Sequence, residues 1–398
     1  MTPTSITALR VHQLAQEVGL PLVGCAPASA MPELLPTLEL YYAQGRASGF
    51  EHPVASERVA PQELLPGARA LIAVALPYRT SETTSIRRPK GQRGLTSTYI
   101  WGEDYHRVLH DKLTLLSERL SQAVKGDVRT VTCVDTSPLL DRAVAVKAGL
   151  GWIGKNSCLI TEAYGSWVFL GALLTDLEIT EMTETEAFAS DASALAPLHL
   201  DACGDCTLCL TACPTGALRE PYVLDSQSCL SYLTQAKGTF PEPYRAALGK
   251  RLWGCDTCQT VCPHNKVSLL GDEPRFAPAA ELAYPELRDV LRLSRRALMK
   301  RYGHTAGAWR GATVWKRNAL IALGNMRDHA AVEDIVPYLE DPRPELRSSA
   351  AWALERIDPM HTREFVYSAW QKELDKQTKA EMAWAAAHVG DATTARDG

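Results

Sequence analysis

The stretch "CGDCTLCLTACP", residues 203–214, places four cysteines at the spacing C-x2-C-x2-C-x3-C and follows the last one with proline. Further along, "CDTCQTVCP" (255–263) repeats the end of this pattern, C-x2-C-x3-C-P, and Cys229 lies between the two stretches. The chain has 398 residues and eleven cysteines. A doubled pattern that ends twice in proline predicts metal binding rather than disulfide bonds.

The overall composition excludes several classes of protein. Hydrophobic residues make up 46% of the chain and charged residues 22%, with a net charge of −4, so total charge indicates no partner. The N-terminal stretch "MTPTSITALRVHQLAQEVGLPLVGCA" (1–26) lacks a basic region followed by a long apolar core, so no signal peptide is predicted. No run approaches the roughly 18 apolar residues of a membrane span. We therefore expect a cytoplasmic protein without a membrane partner, whose thiols stay reduced.

The first cysteine run has the spacing of bacterial ferredoxins, in which the fourth cysteine serves the other cluster. Two-residue gaps let three thiolates reach three corners of one cubane, while the fourth leaves with the chain. The sequence thus predicts two [4Fe–4S] clusters. The first is assigned Cys203, Cys206, Cys209 and Cys262, and the second is assigned Cys213, Cys229, Cys255 and Cys258.

A pair of structural zinc sites is the alternative, because zinc accepts four thiolates at C-x2-C spacings. Zinc gives no reason for three cysteines at successive x2 intervals or for both prolines, so the clusters are favoured. The remaining cysteines lie among mainly apolar neighbours and are predicted to be buried structural residues; they are Cys25, Cys133 and Cys158.

Hydrophobic periodicity predicts three segments. Residues 1–192 alternate between helical and strand-like patterns and are predicted to form an α/β domain. Residues 193–275 hold the cysteines, as a ferredoxin-like module with two clusters. Residues 276–398 are predicted to be all helical. The elements expected in the first segment are helices over 5–18 and 102–124 and strands over 20–26, 70–78, 128–135 and 166–179.

The C-terminal segment contains a weak internal repeat and a basic stripe. "NALIALGNM" (318–326), "SAAWALERI" (349–357) and "EMAWAAAHV" (381–389) resemble one another. They recur at intervals of about 31 residues, and a period of this length favours stacked helix pairs of the HEAT type over an ordinary helical bundle. The stripe, residues 288–317, has one acidic residue and interleaves Tyr302, Trp309 and Trp315 with many Arg and Lys. Such a stripe is either a nucleic-acid surface or a solvated helix face.

Two motifs in the first segment are near-misses. "GLGWIGKN" (149–156) resembles a P-loop but ends in Asn156, where that motif needs Ser or Thr, so no nucleotide site is predicted. "DYHRVL" (104–109) begins like the D-x-H-x-x-G motif of some cobalamin proteins, but Leu109 replaces the glycine. His106 is therefore expected to lie on a helix face rather than on cobalt.

"VDTSPLLDRAVAVKAGLGWIGKNS" (134–157) is more specific. Asp135 ends a predicted strand, and a helix is expected to start at Thr136, Ser137 and Pro138. A carboxyl group at a strand end can act as a proton donor or acceptor. Asp135 can equally act as a helix N-cap, and local sequence does not separate these roles.

This stretch, followed by "CGDCTLCLTACPTGAL" and "CDTCQTVCPHN", resembles the epoxyqueuosine reductase family over roughly residues 5–360. The resemblance implies a cobalamin-dependent enzyme that reduces epoxyqueuosine to queuosine at the tRNA wobble position. It implies that electrons pass through the two [4Fe–4S] clusters to cobalamin, which is bound with no histidine on cobalt. It also implies kinship with reductive dehalogenases, which combine the same modules on small substrates.

The resemblance also implies roles for single residues. Asp135 matches the family's proton donor, and to serve near neutral pH its pKa should be raised by burial. Further residues are expected around the cobalamin: Arg58, Tyr99, Trp101, Lys155, Asn156 and Ser157. The alternatives are a surface salt bridge for Arg58 and core packing for Tyr99 and Trp101.

Three functions are therefore compared. The first is a tRNA-modifying oxidoreductase, a monomer that takes electrons from an external donor. The second is a corrinoid and iron–sulfur reductase that acts on a small molecule, which needs neither the basic stripe nor the helical repeat. The third is an electron carrier without a substrate, which leaves the long α/β segment unexplained. The first is favoured.

Overall fold

The computed structural model describes residues 5–182 and 202–386. By their contacts, these residues form two compact units, each discontinuous in sequence. Unit 1 contains the described residues of Met1–Ser85, Gly102–Cys229 and Asp256–Ala277, and unit 2 contains those of Ile86–Trp101, Leu230–Cys255 and Pro278–Gly398. The cysteine segment contributes to both units. The predicted boundary at 192–193 lies outside the described residues, and the three-segment division stays a prediction.

Strands and helices alternate over the first part of the described chain, and beyond Trp253 the described residues form helices without strands. The strands are β1 Ser5–Thr7, β2 Leu22–Pro27, β3 Ala70–Pro77, β4 Leu95–Thr96, β5 Thr130–Cys133, β6 Trp152–Ile153, β7 Leu159–Ile160, β8 Val168–Thr175, β9 Glu178–Thr180, β10 Leu218–Glu220, β11 Val223–Leu224 and β12 Arg251–Trp253.

The helices of the first half of the described chain are α1 Ala8–Glu17, α2 Leu35–Ala43, α3 Ala55–Arg58, α4 Pro61–Leu64, α5 Ser81–Ser85, α6 Tyr105–Val124, α7 Asp141–Lys147 and α8 Leu208–Ala212. Those of the second half are α9 Leu230–Leu233, α10 Glu242–Leu248, α11 Thr257–Thr260, α12 Pro263–Lys266, α13 Ala280–Ala283, α14 Leu287–Leu291, α15 Arg295–Tyr302, α16 Ala312–Met326, α17 Val332–Ile335, α18 Pro344–Ile357, α19 Pro359–Lys372 and α20 Lys376–Met382. No helix in these ranges is both long enough and apolar enough to cross a membrane.

Unit 1 is built on a four-stranded antiparallel sheet in the order β2-β3-β8-β5. Every residue of β3 is buried, which explains its unbroken apolar run. Alternate residues face opposite sides of a strand. Ala172 of β8 packs in one core with α7, whereas Gly171 faces Leu113 of α6. Helices α7 and α6 therefore cover opposite faces, and the antiparallel topology is one that the alternating pattern did not specify.

The predicted elements of unit 1 are mostly present, with three differences. The helix expected over 5–18 begins at Ala8, because residues 5–7 form β1 and pair with β9. The strand expected over 166–179 is two strands, β8 and β9, which belong to different sheets. The helix expected from Thr136 begins instead at Asp141, and its capping position is Leu140.

The second cysteine stretch is fixed to this sheet by Asn265. This side chain is 2% exposed. Its Oδ1 accepts a hydrogen bond from the backbone N–H of Ser166 at 2.7 Å, and its Nδ2 donates to Ser166 Oγ at 2.8 Å and to the Gln259 carbonyl at 2.7 Å. Gly165 has φ +58°, and a Cβ there would lie 2.1 Å from Asn265 Oδ1. The close approach therefore requires glycine.

Unit 2 is mainly helical, and its core joins α14, α16, α18 and α20. The first two predicted repeats lie on α16 and α18, which pack against each other. The third starts in α20 and runs beyond the described residues. Trp315 packs between Trp253 and Tyr302, with ring centroids at 5.7 and 4.4 Å.

Candidate active site and cluster cavity

Asp135 lies in the irregular segment between β5 and α7, on the surface of unit 1. Its backbone has φ +54°, a left-handed conformation that Asp and Asn tolerate better than most residues. Its side chain is 60% exposed. Because α7 begins six residues later with Leu140 at its cap, the helix-cap alternative for Asp135 is wrong.

Two neighbouring side chains of α6 hold the Asp135 carboxylate. The Tyr105 hydroxyl donates to Oδ2 at 2.6 Å, and Nε2 of His106 lies 3.3 Å from the same oxygen. The Tyr105 ring stacks on Phe169 of β8 at 4.3 Å, with an interplanar angle of 8°. The position of Tyr105 is thus set by the central sheet.

His106 bridges two carboxylates. Its Nδ1 lies 2.7 Å from Oδ1 of Asp104, which also caps α6 by accepting from the His106 backbone N–H at 3.1 Å. Partial burial opposes protonation of the imidazole, but the hydrogen bonds to Asp104 and Asp135 outweigh it and raise the pKa of His106 to about 9. His106 is therefore an imidazolium at neutral pH. It lies on a helix face, as expected, but its contact with Asp135 was missed.

The hydrogen bond to His106 lowers the pKa of Asp135 below its ordinary value, against the effect of burial, and the Tyr105 hydroxyl adds to the lowering. The expectation that burial raises the pKa of Asp135 is therefore wrong for this arrangement. The sequence did not show this because the responsible partner lies on another element. The neighbouring Asp141 is the carboxyl group whose pKa is raised, to about 7, by burial and by the Asp135 charge.

Arg58 and Ser157 lie around the same segment. Arg58 donates from Nε to the Pro138 carbonyl at 3.3 Å and from a terminal nitrogen to the Tyr42 hydroxyl at 3.1 Å. These bonds tie Arg58 to the Asp135 segment rather than to a surface carboxylate. Arg142 of α7 donates to the Ser157 carbonyl. Arg58 thus holds the segment that carries Asp135, and Arg142 holds the turn at Ser157.

Lys155, Asn156 and Ser157 lie in the turn of a hairpin formed by β6 and β7. A P-loop precedes a helix, so the hairpin agrees with the absence of a predicted nucleotide site. Among the described residues, the hydroxyls of Ser157 and Ser137 are buried and have no hydrogen-bond partner. Buried hydroxyls usually have partners, so these two fit a polar ligand such as the amide groups of a corrin.

A cavity in unit 1 brings together the four cysteines assigned to the first cluster. Lys155, Asn156 and His264 line the same cavity, and Lys155 donates to the Gly204 carbonyl. Four thiol groups around one cavity are the donor set that a [4Fe–4S] cluster requires. The cysteines are Cys203, Cys206, Cys209 and Cys262.

The cysteines assigned to the second cluster are divided between the units. Cys213, Cys229 and Cys258 belong to unit 1, and Cys255 belongs to unit 2. Helix α8, which carries Cys209, packs against α11, which carries Cys258. Cys25 and Cys133 are buried, as expected. Cys158 differs, because it is only partly buried.

Tyr99 and Trp101 belong to unit 2. The Trp101 indole is 7% exposed and donates to the carbonyl and hydroxyl of Thr96 at 3.1 and 3.0 Å. The Tyr99 hydroxyl accepts from Trp253 Nε1 at 2.7 Å. Core packing accounts for these contacts, and a role of either residue at the cofactor stays a prediction.

The basic stripe of unit 2 is only partly a surface. Tyr302, Trp315 and Arg317 are buried, so their expected place among surface residues is wrong. Arg288 and Arg292 both pair with Asp334. The exposed remainder is Trp309, which stacks on Arg310 at 3.7 Å, and a set of three cations on α15. We call this set the cationic face; it consists of Arg295, Arg296 and Lys300.

Comparisons with known proteins match three parts of the chain. The family model "Epoxyqueuosine reductase QueG, DUF1730" matches residues 58–136, the model "4Fe-4S double cluster binding domain" matches residues 202–265, and the model "HEAT repeats" matches residues 313–387. These matches confirm the predicted double-cluster segment and HEAT-like repeats.

Whole-chain relatives point the same way. An epoxyqueuosine reductase of Bacillus subtilis (strain 168) is 39% identical over 94% of this chain and 95% of its own. A crystal structure of epoxyqueuosine reductase with an epoxyqueuosine-modified tRNA-Tyr stem loop has a TM-score of 0.85 and 38% identity, over 95% of this chain and 97% of that one. A Bacillus subtilis structure whose aspartate-bearing catalytic loop is swung out of the active site matches with the same TM-score and coverage at 37% identity. The chain belongs to the epoxyqueuosine reductase family.

Proposed function

We propose that this chain reduces epoxyqueuosine to queuosine at the wobble position of tRNA. The observation that carries the proposal is that unit 1 holds both a cavity lined by four cysteines and a carboxylate held by Tyr105 and His106. Reduction of an epoxide to an alkene consumes two electrons and two protons and releases water. Clusters can supply the electrons, and acidic side chains can supply protons.

The cofactors of the proposal are cobalamin and two [4Fe–4S] clusters. The first cluster is assigned to the cysteine cavity and the second to Cys213, Cys229, Cys255 and Cys258. When bound, cobalamin supplies a strongly reducing, nucleophilic metal centre, and the protein's task is to position it and tune its surroundings. The unpartnered hydroxyls of Ser137 and Ser157 fit its polar side groups.

The remaining residues position the substrate and handle protons. Asp135 is exposed and fixed at one carboxylate oxygen, so it can face a bound nucleoside while its orientation is maintained. Arg58 holds the segment after Asp135 through the Pro138 carbonyl, and Arg142 holds the hairpin turn through the Ser157 carbonyl. Among the matched structures, the aspartate-bearing catalytic loop of the Bacillus subtilis protein supports assigning the proton transfer to this segment.

Unit 2 is the proposed tRNA surface. The cationic face has no ion-pair partner among the described residues, and cations of this kind bind phosphates and release counterions. The exposed Trp309 offers a stacking platform for an unpaired base. A small-molecule reductase needs neither feature. We further propose a cytoplasmic monomer that receives electrons from an external donor.

The test is conversion of the modified nucleoside. The protein is reconstituted anaerobically with iron, sulfide and cobalamin, then incubated with a chemical reductant and tRNA that carries epoxyqueuosine. Digestion and mass spectrometry of the nucleosides should show a product lighter by one oxygen. Cys206→Ser should abolish conversion. Its matched control, Cys25→Ser, should not, because Cys25 lies buried in β2 and is not one of the predicted ligands. Unchanged epoxyqueuosine with fully loaded protein would refute the proposal.

A further inference from the structure

We propose that His106 is the proton reservoir of the reaction and that it acts through Asp135. The inference rests on the proposed function and adds a residue to it. The exposed carboxylate of Asp135 is hydrogen-bonded to the imidazole of His106, which is in turn hydrogen-bonded to Asp104. The three side chains form one continuous chain of hydrogen bonds. Asp135 then conducts the proton rather than storing it.

The geometry determines where the proton rests. His106 makes contacts of 2.7 and 3.3 Å to two carboxylates, one at each ring nitrogen, and both nitrogens of an imidazolium are donors. Two flanking negative charges favour the protonated ring and the ionised carboxylates. The resting state is therefore an imidazolium between two carboxylates, and the raised pKa of His106 and lowered pKa of Asp135 agree with it.

The step balances in protons and moves no electrons. As the epoxide opens, the departing oxygen becomes an alkoxide, which is a far stronger base than imidazole. The N–H bond at Nε2 of His106 breaks and an O–H bond forms at Oδ2 of Asp135. Rotation about the Cβ–Cγ bond turns this O–H toward the substrate, and the O–H bond breaks as a new O–H bond forms on the alkoxide, which restores the carboxylate. The result is a neutral imidazole and a hydroxyl group. Solvent then reprotonates His106, whose side chain is 34% exposed.

The hydroxyl of Tyr105 completes the arrangement. It donates to the same oxygen, Oδ2, that faces His106, so both donors of α6 meet at one atom. No other hydrogen bond to the Asp135 carboxylate is found within residues 5–182 and 202–386. The second oxygen therefore has no protein donor among these residues, so the carboxyl group can rotate to present its proton to a ligand.

Other charged groups near His106 and Asp135 can also change the rate as pH varies. Asp141 is the strongest competing explanation of a pH effect, because burial and the negative charge of Asp135 raise its pKa to about 7. Arg107 affects Asp104, and Arg142 affects Asp135. The groups that face the pair are thus Asp104, Tyr105, Arg107, Asp135, Asp141 and Arg142.

The experiment measures single-turnover conversion of tRNA by reconstituted holoenzyme between pH 6 and pH 10. For the wild type we expect a rate that is constant at lower pH. The rate should then fall as pH rises through about 9, where His106 loses its proton. His106→Gln should lower the rate at neutral pH by a hundredfold or more. The rate of this variant should rise toward acidic pH, because Asp135 must then take up its own proton.

Two further variants keep the test decisive. Asp104→Asn still caps α6 and accepts from Nδ1 but removes one charge, so the alkaline limb should move to lower pH. His110→Gln alters an exposed histidine one turn further along α6 and should leave the profile unchanged. NMR titration of labelled His106 should show its pKa falling in Asp104→Asn, independently of activity.

The outcomes separate the two proposals. A wild-type protein that converts no epoxyqueuosine at any pH refutes the proposed function. If the wild type converts epoxyqueuosine and His106→Gln has the same rate and the same fall in rate at alkaline pH, His106 is not the proton reservoir. The same holds if Asp141→Asn, and not His106→Gln, removes the limb, or if His106 titrates near 6.5 in the wild type, its ordinary value.

Discussion

Replacing Asp135 by asparagine removes the carboxyl group from the proposed proton path while leaving the fold in place. Asp135 has φ +54°, and asparagine adopts the left-handed region as readily as aspartate does. The amide oxygen can still accept from the Tyr105 hydroxyl. We therefore expect Asp135→Asn to fold and to load its cofactors.

The structure sets the size of the two expected effects. Hydrogen bonds to a charged group contribute about 1.5–3 kcal/mol when buried, but the Asp135 side chain is 60% exposed. The change in the free energy of unfolding should therefore stay within about 1 kcal/mol. An amide cannot receive and release the proton, so turnover should fall by a hundred- to ten-thousandfold.

The assay compares single-turnover conversion with cofactor content in the same preparation. Iron, sulfide and cobalamin should equal those of the wild type, and the midpoint of urea unfolding should move little. Asp135→Ala is the matched control, because alanine loses both the carboxyl group and the tolerance for positive φ, and it should also be less stable. If Asp135→Asn binds its cofactors normally and turns over at the wild-type rate, Asp135 is not in the proton path.

Three further predictions concern other parts of the molecule. Cys262→Ser should perturb the same paramagnetic resonance signal as Cys206→Ser, and Cys229→Ser should perturb the other; wild-type signals in Cys229→Ser would refute the partition. Alanine at all positions of the cationic face should lower the log–log salt slope of tRNA binding by about one unit for each phosphate contact removed, whereas Arg292→Ala, whose charge already pairs with Asp334, should change it less. The pKa of His106 in the folded protein lies above its unfolded value of about 6.5, so its ion pairs stabilise the protein fully below pH 6.5 and lose their effect as pH rises through about 9. The difference in unfolding midpoint between wild type and His106→Gln should therefore shrink over that range. A difference that stays constant would refute the pairing.

The cysteine cavity could be predicted because cluster ligation is largely a local property. Three of its cysteines are separated by two residues each, so the reach of the chain fixes their arrangement before any tertiary contact forms. The assignment of Cys262 to the same cavity depended on the doubled pattern. Its agreement with the lining of the cavity reflects the packing of α8 against α11.

The contact between His106 and Asp135 could not be predicted in the same way. His106 and Asp135 are 29 residues apart and lie on different elements, and their contact depends on how α6 packs on the sheet. The spacing of Asp104 and His106 is visible in the sequence, but it resembles only the start of a cobalt-binding motif. Likewise, a helical stripe of Arg and aromatic residues does not show that Trp315 and Arg317 point inward, where Arg317 bonds to three backbone carbonyls.

The hairpin turn between β6 and β7 connects the two sides of the site in unit 1. Lys155 and Asn156 line the cysteine cavity, while the carbonyl of Ser157 accepts from Arg142, whose charge acts on Asp135. Three successive residues therefore connect the cysteines assigned to the first cluster with the residues proposed to carry the proton. Ser157 has φ +62°, and such a backbone conformation costs of order 1 kcal/mol for a residue other than glycine, unless its surroundings hold it in place. The neighbouring bond from the Gly154 N–H to the Cys158 carbonyl, at 2.9 Å, closes the turn and holds it. We expect this turn to hold the lining of the cysteine cavity and the Arg142 contact in a constant arrangement, as the proposed reaction requires when electrons and protons reach the same substrate.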